Sequence, residues 1–294
     1  MKPKIKSVHT YVINDFTPEE GLLSVKQVNN ENGNLLLQEQ YALDGRIEQK
    51  IERAYDSEQR LVEEKQYTEG DAPHQVISNT YDENGKLNRS TTRYMDGALS
   101  NTDFVYDLSA RSEEMTTRDE AGQIEEKVVR SFDQEGRVLE QSEYGEEESF
   151  VKSVKSSYND AGRPLERHYK TEETEYKHFY DYEYDEEGRI TYAEIFDVKE
   201  DLIRTDEITY DERGNQKEVA MKNYADGWSI VDRYTYNEQD QLVKEERFMA
   251  NGDPVESKEY QMDEHGFVLQ QEVRNRNGWT IHRYQYEFFE ATTS

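Results

Sequence analysis

Two segments of the sequence combine tryptophan and tyrosine in a pattern typical of binding surfaces. One is GWSIVDRYTY from Gly227 and the other is GWTIHRYQY from Gly278, and together they hold both tryptophans of the chain. Exposed aromatic rings can stack on sugar rings or anchor a protein partner. The same rings can instead pack within the protein, which is the interpretation that we favour. The candidate binding residues are Trp228, Tyr234, Tyr236, Trp279, Tyr284 and Tyr286.

No catalytic motif accompanies these rings. The six histidines are scattered, and the sequence has no HExxH, no GxSxG, no phosphate loop and no GxGxxG that opens a helix. Asp, Asn and Glu cluster at predicted turns and offer oxygen ligands to calcium, but their spacing differs from that of an EF-hand loop. Turn formation already accounts for the Asp residues. We therefore predict a protein that is not an enzyme and that uses neither cofactor nor metal ion.

The charge of the chain points to one class of partner. With 65 acidic and 36 basic residues, the formal net charge is -29. This charge repels nucleic-acid phosphates and attracts basic proteins. It can also serve only to keep a long exposed sheet soluble. We expect a basic protein partner and no nucleic acid.

Composition limits where the protein resides. Hydrophobic residues make up 33% of the chain, cysteine is absent, and no apolar run reaches the roughly 18 residues of a membrane-spanning helix. The start, MKPKIKSVHTYVIND, has no apolar stretch of signal-peptide length. We expect a cytoplasmic protein without a membrane partner, and a mature exported form is the alternative.

The elements that carry these residues follow from an internal repeat. The segment YDENGKL at Tyr81 recurs in related form at intervals of 26 residues, apart from a single step of 25. Ten copies begin at 29, 55, 81, 106, 132, 158, 184, 210, 236 and 262. A fixed period of this length is the signature of a tandem-repeat architecture.

Each copy has the chemistry of a hairpin tip. The second residue is Asp or Asn, and the fifth is usually Gly, which suits a type I turn that ends in a left-handed residue. The aromatic first positions are Tyr55, Tyr81, Tyr106, Phe132, Tyr158, Tyr184, Tyr210 and Tyr236. The left-handed glycines are Gly85, Gly136, Gly162, Gly188 and Gly214. Second turn signals, such as YMDG at Tyr94 and YADG at Tyr224, lie about halfway between copies.

Two strands and two turns per repeat predict about twenty strands in an up-and-down meander, each roughly eight or nine residues long. The turn geometry also predicts the register, because the aromatic first residue should face the residue two beyond the Gly. The predicted pairs are Tyr55 with Leu61, Tyr81 with Leu87, Phe132 with Val138, Tyr184 with Ile190 and Tyr236 with Leu242. On the other face, the Asp of each copy should oppose the residue after the Gly, as for Asp107 with Arg111.

The predicted fold is all-β: tandem 26-residue hairpin repeats in one long antiparallel meander, coiled into an open spiral or partial shell. Open twisted sheets rarely exceed about ten strands without curling, and nothing else in the sequence can cover the apolar row. The expected organisation is an N-terminal capping hairpin at 1–28, a ten-repeat sheet domain at 29–290 and a disordered tail at 291–294.

These repeats resemble the YD-repeat family, also called the Rhs-repeat family, with its Tyr-x-Tyr-Asp and trailing Gly-Arg-Leu. The closest matches are YEYDEEGRI, from Tyr182 to Ile190, and YTYNEQDQL, from Tyr234 to Leu242. The resemblance covers about residues 29–288 and implies a coiled sheet that forms a shell, which encloses a toxin in large members. Ten repeats are too few for a roomy closed shell, and we find no toxin segment. YDENGKL is also loosely similar to the Tyr-x-Asn-Gly repeats of antitoxin-like proteins.

We therefore expect a non-enzymatic repeat scaffold that binds a basic protein through an extended acidic β-surface, as an immunity or assembly factor of a bacterial toxin system. The alternative is carbohydrate binding along the tyrosine and tryptophan rows. Self-association through the aromatic face is a further expectation. Mimicry of DNA by the acidic surface is a weaker hypothesis, because lysines and arginines are interleaved with the carboxylates.

Overall fold

The computed structural model describes residues 2–68 and 70–290, and strands dominate both ranges. The strands are β1 (Ile5–Ile13), β2 (Leu22–Asn29), β3 (Leu35–Tyr41), β4 (Ile47–Tyr55), β5 (Leu61–Tyr67), β6 (Gln75–Tyr81), β7 (Leu87–Tyr94), β8 (Leu99–Asp107), β9 (Ser112–Arg118), β10 (Ile124–Phe132), β11 (Val138–Tyr144), β12 (Phe150–Tyr158), β13 (Pro164–Thr171), β14 (Glu175–Tyr184), β15 (Ile190–Phe196), β16 (Leu202–Tyr210), β17 (Gln216–Asn223), β18 (Trp228–Tyr236), β19 (Leu242–Met249), β20 (Pro254–Met262), β21 (Val268–Asn275) and β22 (Gly278–Phe288).

Helical structure in the described ranges is limited to a 3₁₀ turn at Glu146–Glu148. None of the described residues forms a helix with the length and apolar character needed to cross a membrane. The predicted tail at 291–294 lies outside the described residues.

The residues fall into two compact units, each built from consecutive antiparallel strands. The first unit comprises the chain up to His74, Asp206–Lys222 and the chain from Gly227 onward, and the second comprises Gln75–Thr205 and Asn223–Asp226. In the first unit, pairing runs from β18 through β22 to β1 and on to β5. In the second, it runs from β6 to β15.

The sheet is closed, so the predicted open spiral or partial shell is wrong. All 22 strands belong to one sheet, and β1 pairs with β2 on one side and with β22 on the other. Val8, for example, lies opposite Gln27 in β2 and Tyr286 in β22. Closure removes both sheet edges, whose unpaired N–H and C=O groups would otherwise be free to pair with other chains.

The predicted register is confirmed at the five tips for which an aromatic–aliphatic pair was specified. The structure pairs Tyr55 with Leu61, Tyr81 with Leu87, Phe132 with Val138, Tyr184 with Ile190 and Tyr236 with Leu242. At each of these tips the register shifts at the aromatic residue, as expected for a hairpin loop with a bulge. The hairpin tips thus follow the repeat columns.

The tip after Tyr106 departs from the predicted register. Asp107 lies opposite Ser112 rather than Arg111, and Tyr106 lies opposite Glu113. The reason is local: the fifth residue is Ala110 instead of Gly, and Arg111, one position later, takes the left-handed conformation with a φ of 48°. Moving the left-handed residue by one position lengthens the loop and removes the bulge.

The Asp of each regular tip satisfies the backbone of its own turn. The Oδ1 atom of Asp56 accepts hydrogen bonds from the backbone N–H groups of Glu58 at 2.9 Å and Arg60 at 3.0 Å. Its Oδ2 atom accepts a bond from the Arg60 side chain at 2.7 Å. Asp185 and Arg189 make the same contacts. One carboxylate therefore closes the turn and holds the arginine, which explains why Asp recurs at this position.

The tip tyrosine joins one hairpin to the preceding one. The hydroxyl of Tyr158 donates to the carbonyl oxygen of Val138 at 2.8 Å, and the Arg137 guanidinium lies 5.0 Å from the Tyr158 ring centroid. Tyr55 makes the equivalent bond to the carbonyl of Leu35 at 3.0 Å. Arg163 over Tyr184 and Lys86 over Tyr106 repeat the cation–π contact. The repeated tyrosine therefore has a structural role between hairpins, beyond its pairing within one.

Replacing Tyr158 with Phe is expected to lower the free energy of unfolding by about 1 kcal/mol, because the Val138 carbonyl loses its donor while the ring contacts remain. Chemical denaturation of the variant measures this change. Tyr144→Phe is the matched control, since no hydrogen bond of the Tyr144 hydroxyl occurs in the described part of the chain. Equal destabilisation of both variants would show that the hydroxyl bond is not the cause.

The stabilising contacts lie within the sheet rather than in a deep core. The accessible surface is 19101 Å², whereas a compact monomer of 34.8 kDa exposes about 13,000 Å². Among the described apolar residues, the buried ones are Ile13, Tyr67, Val128, Ala193 and Phe267. Cross-strand pairs, turn bonds and ring contacts consequently have to supply much of the folding free energy.

Candidate functional site

The structure divides the predicted binding residues between two faces of the sheet. Cross-strand pairs run from Tyr234 through Glu245, Lys258 and Val273 to Thr280, so these residues share one face, here called face A. Strand alternation then places Trp228, Tyr236, Tyr284 and Tyr286 on face A as well. Trp279 lies on the opposite face, here called face B, directly across from Arg274. The two tryptophan segments are therefore not equivalent in the fold.

A hydrogen-bonded chain of polar side chains links β19 to β22 on face A. The Tyr260 hydroxyl donates to Glu245 Oε1 at 2.7 Å. The amide of Gln271 donates to the Tyr260 oxygen at 3.4 Å, and the Tyr284 hydroxyl donates to Gln271 Oε1 at 3.4 Å. This chain brings the predicted Tyr284 into contact with Tyr260, Glu245 and Gln271, which sequence reasoning missed.

Next to this chain lies an ion pair between a buried aspartate and an exposed arginine. Arg247 Nε and Nη2 donate to the two carboxylate oxygens of Asp232 at 2.7 and 2.8 Å. Among the described residues, Asp232 is the only charged residue that is buried, with 7% of its surface exposed. The bond to Asp232 raises the pKa of Arg247 above its ordinary value. The two bonds therefore order the part of face A around Tyr234.

Burial perturbs the tyrosines of this face and of other strands. Burial, followed by the hydrogen bond to Glu245, raises the pKa of Tyr260 to about 12. Burial also raises the pKa values of Tyr234, Tyr284 and Tyr286 and lowers that of His282. Three more tyrosines have pKa values raised to about 12, and they are Tyr41, Tyr67 and Tyr180. At neutral pH these groups are uncharged hydrogen-bond donors.

These raised pKa values predict alkaline unfolding with a defined sign. A tyrosine that loses its proton near pH 10 in the unfolded chain and near pH 12 in the fold stabilises the fold fully below pH 10. That stability is lost as the pH rises through about 12. Phenolate absorbance should show a late-titrating group of tyrosines, and Tyr260→Phe should reduce its amplitude. A single transition near pH 10, as expected in denaturant, would contradict this.

Exposed carboxylates line one edge of the second unit. Its five hairpin tips join β6–β7, β8–β9, β10–β11, β12–β13 and β14–β15, and antiparallel pairing places all five on the same edge. The exposed acidic residues of these tips, here called the tip row, are Glu83, Asp107, Glu135, Asp160, Glu186 and Glu187. Tips two strands apart are separated by about 9.6 Å. The tip row is thus a periodic anionic surface.

Arginines within the tips offset part of this charge. Arg137 Nη2 lies 3.1 Å from Glu135 Oε2, and Arg189 Nη2 lies 3.1 Å from Glu187 Oε2. Tips of the first unit have the same chemistry: the Arg60 backbone N–H lowers the pKa of the Asp56 carboxyl, while Glu58 remains exposed. Each such tip therefore keeps a net negative charge beside an ordered arginine.

The densest group of rings lies on β14, which we did not predict as a site. Tyr176, His178, Tyr180, Tyr182 and Tyr184 alternate along one face of this strand. Tyr169 of β13 stacks on Tyr176 with 4.8 Å between the ring centroids, and the Tyr176 and His178 centroids are 5.2 Å apart. Every second residue of EYKHFYDYEY is aromatic, and this signal was available in the sequence.

The described side chains show no arrangement that would hold a metal. No group of three or more His, Asp or Glu within residues 2–68 and 70–290 could bind a metal ion. The surface of the described residues presents carboxylates, tyrosine hydroxyls and aromatic rings.

Comparisons with known proteins give only distant structural similarities. No family model and no curated protein matches it. The crystal structures of TcdB2-TccC3-Cdc42 and TcdB2-TccC3 are similar with TM-scores of 0.45 and 11% identity, over 98% of this chain and 18% of theirs. A porin-like protein from Bacteroides uniformis ATCC 8492 is similar with a TM-score of 0.32 and 10% identity, over 96% of this chain and 98% of its own. The chain thus spans less than a fifth of the TcdB2-TccC3 chains.

Proposed function

We propose that this protein is a non-enzymatic scaffold of the YD-repeat type that binds a basic protein through its acidic edge. The observation that carries the proposal is the net charge of -29, displayed in part as exposed carboxylates on consecutive hairpin tips. A ladder of tips about 9.6 Å apart offers several simultaneous contacts to basic side chains. The repeat pattern further supports a role as an immunity or assembly factor of a bacterial toxin system.

The internal ion pairs support this use of the charge. Many basic side chains of the sheet are already paired with carboxylates, for example Lys26 with Glu39 and Arg53 with Glu64. The surplus of acidic residues therefore has to be balanced by counterions or by a partner. Binding of a basic partner releases those counterions and steers its approach at low salt.

The test uses a synthetic peptide with lysine at every third position and its glutamine counterpart as probes. In the polyproline II conformation every third residue lies on the same side of the chain, and three residues advance about 9.3 Å, so this spacing matches the tips. We expect the lysine peptide to bind at low ionic strength and to weaken steeply with salt. Failure to bind, or binding indifferent to salt, would refute the proposal.

A charge-matched pair of variants locates the surface. One variant replaces four glutamates of the tip row with glutamine: Glu83, Glu135, Glu186 and Glu187. The other does the same with four glutamates of the opposite edge of the second unit: Glu120, Glu146, Glu172 and Glu173. Only the first should weaken binding of the lysine peptide. Equal weakening would indicate a non-specific effect of net charge.

The aromatic row on β14 supports a second candidate function, carbohydrate binding. Tyr176 and Tyr184 are 48% and 40% exposed, and the hydroxyl and imidazole groups of the row can bond to sugar hydroxyls. A glycan array tests this, with Tyr182→Ala, Trp228→Ala and Tyr236→Ala expected to reduce any hit and Tyr94→Ala to leave it unchanged. An array without hits would eliminate it. Analytical ultracentrifugation distinguishes self-association through the same rings.

A further inference from the structure

A cavity of about 350 Å³ lies at the edge of the first unit, between the β19–β20 turn and the β21–β22 turn. Phe248, Pro254 and Val255 supply its apolar lining, and Arg274 and Arg276 line it from the second turn. Its volume is at the lower end of the range of small-molecule sites, which is about 300–1,000 Å³. It lies on a different unit from the tip row and on face B, away from the hydrogen-bonded chain of face A.

The apolar part of the cavity arises from a bulge. Arg247 lies opposite Glu256 and Phe248 lies opposite Pro254, which leaves Val255 as an extra residue in β20. A bulged residue redirects its side chain and locally interrupts the ladder. Pro254, the first residue of the strand, donates no backbone hydrogen bond. The Phe248 ring, the Pro254 pyrrolidine ring and the Val255 isopropyl group therefore line the cavity at the point where the ladder is interrupted.

The carboxylates of the cavity already have cationic partners. Glu246 is 2.9 Å from Lys244, and Glu256 is 3.2 Å from Lys258. These pairs neutralise the acidic groups nearest to the apolar lining. An incoming anion consequently meets little repulsion here, in contrast to most of this acidic protein.

Cationic groups face the same space. The Arg233 guanidinium lies 5.0 Å from the Phe248 ring centroid and is paired with Glu218, and Arg274 is paired with Glu272. Arg276 is exposed at the tip of the following turn and makes no ion pair within the described part of the chain. That turn is fixed by a bond from the Asn277 N–H to Asn275 Oδ1 at 2.9 Å. The Arg276 guanidinium thus offers hydrogen-bond donors, and a positive charge without a carboxylate partner among the described residues, beside the apolar lining of the cavity.

We propose that this cavity binds an organic carboxylate with an apolar body. The apolar body packs on Phe248, Pro254 and Val255, and the carboxylate accepts hydrogen bonds from the Arg276 guanidinium, whose planar fork matches a carboxylate. Trp279 lies opposite Arg274, a residue of the cavity lining, so its fluorescence is expected to respond to binding. The charge of this site is opposite to that of the surface proposed for the basic partner, so the two proposals stand independently.

Two sources can supply this chemistry, a free fatty acid or the C-terminus of a peptide. The probes are octanoate, its neutral analogue octanamide, and a pentapeptide with a C-terminal leucine in free-acid and amidated forms. Binding is followed by isothermal titration and by tryptophan fluorescence of a Trp228→Phe variant, in which Trp279 is the remaining tryptophan.

We expect octanoate to bind with millimolar or better affinity and octanamide to bind about tenfold more weakly, the usual scale of one charge-assisted contact. The Arg276→Gln variant should bind octanoate about tenfold more weakly than the wild type, because the substitution removes that contact and leaves the packed side chains in place. Arg46→Gln, an exposed arginine in the β3–β4 turn of the same unit, is the charge-matched control and should bind octanoate normally.

Several outcomes would overturn the proposal: no octanoate binding at millimolar concentration, equal affinity for octanoate and octanamide, or equal loss in both arginine variants. Preference for the free-acid peptide over octanoate would assign the site to protein C-termini, and the reverse preference would assign it to free acids. A double variant, Phe248→Leu with Val255→Ala, should weaken both carboxylates while far-ultraviolet circular dichroism confirms an intact sheet.

Discussion

Proline at Val8 and proline at His9 are each expected to destabilise the protein strongly. Successive residues of a strand direct their N–H groups to opposite sides, so one substitution interrupts the β1–β2 ladder and the other the β1–β22 ladder. Each leaves a carbonyl on the neighbouring strand without its donor, at a cost of about 1–3 kcal/mol, and adds the clash of the proline ring. Chemical denaturation measures both losses.

The pair of substitutions separates a closed sheet from an open one. In an open sheet β1 would be an edge strand, and proline would be tolerated where the N–H faces solvent. One of the two variants would then be nearly as stable as the wild type, which would contradict the β1–β22 pairing. Hydrogen exchange adds a local readout, because the proline that interrupts the β1–β22 ladder should deprotect Gly278–Phe288.

Glu19→Pro is the control for a non-specific effect of proline near the N-terminus. Glu19 is the second residue of the turn closed by the hydrogen bond from the Gly21 N–H to the Pro18 carbonyl, and this position favours proline. We expect no loss of stability for this variant. A loss similar to that of Val8→Pro would mean that the fold is sensitive to the segment as a whole and not to the ladder.

Much of the local structure could be predicted from the sequence because it depends on local chemistry. The Asp-x-x-Gly tip fixes its own turn, and the turn fixes which residues face each other, as for Tyr55 and Leu61. The same reasoning failed at Asp107 because the left-handed conformation moved from Ala110 to Arg111. Turn chemistry determines the register only while the left-handed residue keeps its place.

Closure could not be predicted in the same way. It depends on the accumulated twist and stagger of 22 strands, and it is made by residues at the two ends of the chain, such as Val8 and Tyr286. No short sequence motif encodes the pairing of β1 with β22. Alternating residues in IKSVHTYVI indicate a strand, but this pattern is the same whether one or both sides are paired.

The candidate surfaces were predictable to different degrees. Tyr234 and Tyr284 were found from composition, but their link through Glu245, Tyr260 and Gln271 requires the register of four successive strands. Trp279 was grouped with Trp228 because of a shared Gly-Trp motif, yet it lies on the opposite face. The tryptophan precedes the first tyrosine by six residues in GWSIVDRYTY and by five in GWTIHRYQY, and this difference of one residue is sufficient because side chains alternate along a strand.

Asp232→Ala is expected to lower the free energy of unfolding by about 2–3 kcal/mol. The substitution leaves the Arg247 guanidinium without both of its carboxylate contacts, and bonds to charged groups contribute about 1.5–3 kcal/mol. A fully buried pair would cost about 3–5 kcal/mol to break, but the Arg247 side chain is 48% exposed, so water recovers part of the loss. Urea denaturation measures the difference.

A double-mutant cycle identifies the unpaired arginine as the cause. Asp232→Val combined with Arg247→Leu replaces both charges with apolar groups and should be less damaging than the sum of the single changes. Asp44→Asn, which breaks a bond of 2.7 Å between the exposed side chains of Asp44 and Arg46, should have no measurable effect. Additive losses in the cycle would show instead that Asp232 and Arg247 contribute separately, through packing with their other neighbours on face A.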